Sequence, residues 1–84
     1  MSRQSETKLQ FALRQVQLRA QLKLDRELTH GEMAEMAGVT ARSFGDWMRG
    51  VSSPNGMSAV FELLSQLPES DVLIILKQWK ERDN

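Results

Sequence analysis

The sequence has no cysteine, no tyrosine and a single histidine. Without cysteine there is no disulfide framework and no thiolate metal site. With His30 as the sole imidazole, nucleophilic, acid–base or metal-assisted catalysis has little to work with, and neither an enzyme nor a cofactor is expected. His30 also lacks a second ligand one helical turn away, where Met33 and Ala34 stand, so no metal site is expected. No apolar run approaches the ~20 residues that a membrane span needs. The opening MSRQSETKLQ lacks the apolar stretch of a secretory signal. A cytoplasmic location, away from membranes, is the expectation, and a cysteine-free chain is compatible with a reducing compartment. The formal net charge is zero, which removes the simplest mark of a nucleic-acid binder, an overall basic excess.

What is present is arranged unevenly. Residues 1–26 carry Arg3, Lys8, Arg14, Arg19, Lys23 and Arg26 against Glu6 and Asp25. Residues 27–84 carry five basic side chains against nine acidic ones. One face can therefore be basic while another is acidic. The 84 residues form one domain, 1–84, with a small core. Nothing repeats, and the two prolines, Pro54 and Pro68, fall where turns are wanted.

The pattern predicts an all-α chain of five helices. The first spans about Glu6–Lys23, with Ser5 as cap and Leu9, Ala12, Leu13, Val16 and Ala20 as its apolar stripe; Arg14, Gln17 and Gln21 lie off it. The second begins at Thr29, where THGE spells a capping box between Thr29 and Glu32. Met33, Ala34 and Ala37 face inward and Gly38 stops it. The third starts at Thr40 and ends at Gly50. A turn at Ser52–Gly56 leads to a fourth helix over about Ser58–Gln66. Ser70 then caps a fifth over about Asp71–Arg82, with Asp71 in its first turn and Lys77, Lys80 and Arg82 toward its end.

Two short helices joined by a three-residue glycine turn make a helix-turn-helix at 29–50. Ala34 is small enough for the helices to cross closely, and Val39 plugs the turn. Phe44, Trp47 and Met48 anchor the third helix inward. Its outer face is then Ala41, Arg42, Gly45, Asp46 and Arg49, and an anchored helix with a short outer face fits the DNA major groove.

The stretch LTHGEMAEMAGVTARSFGDWMRG, with Pro54 beyond it, resembles the helix-turn-helix of the lambda-repressor and Cro-like (XRE) family of small bacterial, phage or plasmid regulators. The likeness is gapless from Leu28 to Gly50, about a quarter of the chain, through Thr29, Ala34, Gly38, Val39, Thr40, Phe44, Trp47 and Gly50. Met48 departs from the glutamate that is frequent there, and Gly45 from the usual polar residue. The resemblance implies a five-helix lambda-repressor-like DNA-binding domain. It implies a sequence-specific transcriptional regulator of double-stranded DNA, a repressor that binds a palindromic operator as a dimer. By that likeness Ala41, Arg42, Gly45 and Asp46 face base edges, while Thr29, His30, Thr40, Ser43 and Arg49 face phosphates. Arg42 can donate two bonds to guanine O6 and N7, Ala41 can touch a thymine methyl, and Asp46 can accept from cytosine N4.

Blander readings stand beside these. Arg42 and Asp46, at i and i+4, would also suit a solvated ion pair, with Asp46 merely orienting Arg42. Gly45 either lets the DNA backbone approach or is simply tolerated. His30 is a phosphate ligand or an exposed first-turn residue, and Arg49 a phosphate clamp or a partner of the helix C-terminus. Val72, Leu73, Ile75, Leu76 and Trp79 make helix 70–82 apolar over a wide stripe. That stripe is a dimer element or a lid on the monomer core, and helix 6–23 is the second candidate interface. The competing function is a protein–protein interaction module, or an antitoxin-like partner, on a helix-turn-helix fold. No small-molecule effector is expected.

Overall fold

The computed structural model describes residues 6–54 and 56–82. Among them there are five α-helices and no strands: α1 (Lys8–Leu24), α2 (His30–Ala37), α3 (Ala41–Arg49), α4 (Ser58–Ser65) and α5 (Glu69–Glu81). The expected all-α class and helix count hold for this part of the chain.

Helix starts follow local chemistry. Thr7 caps α1 by accepting from the Gln10 N–H at 3.1 Å, while Gln10 Oε1 accepts from the Thr7 N–H at 2.9 Å. This corrects the expected start at Glu6, and Ser5, the expected cap, lies outside the described residues. Thr29 and Glu32 form the expected reciprocal box on α2, and Thr40 caps α3 through the Ser43 N–H. The start of α5 is also corrected. Pro68, with φ fixed at −58°, occupies the cap position, and its carbonyl accepts from Asp71 and Val72. Ser70 is thereby drawn inside the helix, since proline at a helix entrance gives up no bond the helix would have used.

Glycines end α2 and α3. Gly38 and Gly50 take left-handed conformations, with φ of 77° and 78°. The N–H of the residue after each reaches back, Val39 to the Ala34 carbonyl and Val51 to the Asp46 carbonyl, both at 2.9 Å. The end of α1 is closed without glycine by Asp25, at φ 59°. A short polar side chain is among the few that tolerate that region.

All five helices supply the core. Leu13, Val16 and Ala20 from α1 meet Met33, Ala34 and Ala37 from α2, Phe44 and Trp47 from α3, Leu63 from α4 and Ile75 from α5. Leu28 and Leu67, in the connections, are buried with them, and Val39 and Met48 pack on the cluster half-buried. Helix α5 runs back along α1: Asp71 meets Arg19 at 2.7 Å near one end, and Lys8 lies 4.9 Å above the Trp79 ring near the other.

Candidate nucleic-acid interface

The α2–α3 pair presents the residues singled out above, and α3 is held firmly. Phe44 is 0% exposed and Trp47 6%, with their rings edge-to-face at 6.0 Å. These side chains fix the rotation of α3, so the opposite side must face outward.

On that side Ala41 and Arg42 are exposed. Arg42 makes no ion pair or hydrogen bond among the described residues. The i, i+4 pairing of Arg42 with Asp46 is therefore corrected: Asp46 instead forms an ion pair with Arg49. A carboxylate three residues before a cation on a helix lies within reach of it, and Arg49 reaches back from the following turn.

Gly45 is also corrected. It is buried, not open on the outer face. Arg49 and His30 lie over it, and a Cβ built there would fall 3.2 Å from Arg49 Nη1 and 3.9 Å from His30 Nδ1. His30 is exposed at the first position of α2, and its ring stands edge-on to Phe44 at 5.6 Å. One exposed side chain thus touches the core, the glycine and the solvent together.

The two helix entrances flank this surface. The Thr29 hydroxyl accepts from the Glu32 N–H, which leaves its own hydrogen unspent in that bond. The Thr40 hydroxyl accepts from the Ser43 N–H and donates to Ser43 Oγ, both at 3.1 Å. Thr29 and Thr40 are exposed and Ser43 is half-buried. The Glu32 carboxyl is held below its ordinary pKa, chiefly by the hydrogen bond from the Thr29 backbone and next by Arg26, which donates to it at 3.0 Å.

Three glutamines position this region and were missed in the sequence. Gln17 Nε2 donates to the Leu28 carbonyl and Gln21 Oε1 accepts from the Leu28 N–H, both at 2.9 Å, so α1 grips the residue that leads into α2. Gln10 Nε2 donates to the Met48 carbonyl at 3.3 Å and so ties the start of α1 to the end of α3. Their spacing off the apolar stripe of α1 reads as solvated surface, and nothing in a single sequence says which backbone group a glutamine will meet.

A second surface is apolar. Phe61, Leu64, Leu67, Val72, Leu73 and Leu76 line an open groove between α4 and α5. Leu73 is 66% exposed, Phe61 59% and Leu76 49%. Of the five apolar residues expected on α5, Ile75 alone is fully buried, with Val72 partly covered.

Among the described residues no group of three His, Cys, Asp or Glu side chains gathers as a metal site. None of the helices is long and apolar enough to cross a membrane. No protein-family model, curated protein or solved structure matches the chain.

Proposed function

We propose that the chain binds double-stranded DNA in a sequence-specific way and acts as a cytoplasmic transcriptional regulator, a repressor of the lambda-repressor and Cro-like kind. The observation that carries this reading is Arg42: exposed, without an intramolecular partner among the described residues, and mounted on a helix whose other side is locked by Phe44 and Trp47. A guanidinium in that setting is available to a guanine edge with no ion pair among the described residues to break first. The capped entrances at Thr29–His30 and Thr40–Ala41 supply backbone donors suited to phosphate on either side. Function by binding, without a chemical step, fits this surface.

One helix of this length reads only a few base pairs, so the operator is proposed to be palindromic and the protein a dimer. The stripe Glu69, Leu73, Leu76, Lys80 on α5 is exposed throughout. In an antiparallel pairing about a two-fold axis, Glu69 would face Lys80 of the other copy and Leu73 would face Leu76, so the surface complements itself.

Selection of duplexes from a randomised pool, followed by salt titration of the winners, tests the reading. Affinity that falls steeply with salt, on a site with two-fold symmetry, is expected. Arg42→Ala should relax the preference at one position per half-site by about 1–3 kcal/mol. A uniform loss over all sequences would make Arg42 a phosphate ligand instead. The second reading, a protein-interaction module or antitoxin-like partner, draws on the α4–α5 groove. It takes over if no duplex in the pool binds with salt sensitivity.

A further inference from the structure

Side chains on a helix lean toward its N-terminus. Arg49, on the last turn of α3, accordingly reaches back over residue 45, and there the chain has glycine. The first atom of any other side chain would fall against the Arg49 guanidinium, in tight contact with Nη1 at 3.2 Å and in ordinary contact with Cζ at 4.0 Å. Asp46 grips the same guanidinium through its ion pair, and His30 stands 3.9 Å from the same point. Glycine inside a helix is unfavourable relative to alanine, and the helical backbone at residue 45 does not demand it, since the left-handed glycines are Gly38 and Gly50. What favours a small residue at this position is space for another residue's charge.

We infer that Gly45 is a positioning residue: its absent side chain leaves the seat of Arg49, and lets that cation lie back one turn over residue 45, beside His30. The inference rests on the proposal that this face meets DNA, where the seated guanidinium takes a backbone phosphate. A guanidinium has five N–H donors. The bond from Nη2 to Asp46 therefore leaves others for phosphate oxygens. Asp46 serves in holding Arg49, not in reading cytosine.

The test is a double-mutant cycle of Gly45→Leu and Arg49→Ala, read by duplex affinity and salt slope. Each single change should weaken binding about tenfold per protomer and lower the slope of the proposed dimer by about 1.8, the share of two phosphates, one per half-site. The double variant should be no worse than Arg49→Ala alone, because the leucine acts by unseating an arginine that is already gone. Losses that add would mean that DNA meets position 45 directly, and a Gly45→Leu protein that binds like wild type would mean that the seat is idle. Either overturns the inference. Gly45→Ala is the folding control: alanine asks Arg49 to yield by only a few tenths of an ångström, so this variant should melt at or above the wild-type temperature and keep the wild-type salt slope, and a slope that fell as far as in Gly45→Leu would overturn the inference. A protein without DNA affinity would sink the proposed function separately. In that event the free protein decides, since the Arg49 Nε–H and His30 ring NMR signals should shift together in Gly45→Leu. Unchanged signals would overturn the seat.

Discussion

Gly38 and Gly50 share a backbone conformation but not an environment. Each sits at φ near 78° and closes a helix, and a Cβ in that region costs roughly 1–2 kcal/mol. At Gly38 the added carbon would meet nothing within 4 Å. At Gly50 it would fall 2.8 Å from Gln10 Nε2, the amide that also holds the Met48 carbonyl. Gly38→Ala should therefore lose the backbone term alone, and Gly50→Ala more. Urea unfolding of Gly50→Ala, Gln10→Ala and the pair should reveal a favourable coupling, since removing Gln10 relieves the crowding. Strict additivity would show that the loop moves aside freely. Both glycines are legible as helix stops in the sequence. The partner of Gly50 is not, because it arrives from 40 residues away.

At the scale of elements, the start of α2 depends on a charge. Glu32 accepts from the Thr29 N–H at 2.9 Å and from Arg26 at 3.0 Å, and both favour its ionised form. The folded pKa thus lies below the unfolded value of about 4.3. The stabilisation is fully present above that value and is lost as pH falls through the folded pKa. Thermal melts from pH 6 to 3 should show wild type losing more stability than Glu32→Gln, whose amide still caps but does not titrate. Parallel curves would show that the charge contributes nothing. The capping box was readable because its two residues are three apart in the chain. The entrances of α1 and α5 were less so: Ser5 and Ser70 satisfy the same local rule as Thr7, and a proline carbonyl can do the work of a side-chain cap. The outer face of α3 was readable in Ala41, Arg42 and Arg49, but not in Gly45, which is buried, nor in its internal pairing. Helical spacing allows Asp46 both Arg42 and Arg49, and the choice of Arg49 goes with the space left by Gly45.

For the whole molecule, the decisive question is what covers the α4–α5 groove. Leu73 is 66% exposed in the single chain, so replacing it by lysine should change the melting temperature of a dilute sample by no more than about 0.5 kcal/mol's worth. If α5 pairs with its copy as proposed, the same Leu73→Lys change should abolish the concentration dependence of sedimentation and weaken operator binding far more than it weakens folding. Sedimentation of wild type as a single species at all concentrations would remove α5 from the interface. The two tryptophans make this accessible without a label. Trp47 is 6% exposed in the core, whereas Trp79 is 38% exposed on α5 beneath the Lys8 ammonium. Indole emission follows the polarity of its surroundings, so the pair gives two colours: a blue one that lasts as long as the fold does, and a redder, acrylamide-quenchable one that responds when α5 is covered. A Trp79→Phe protein would keep only the first, and the difference spectrum would report assembly apart from folding.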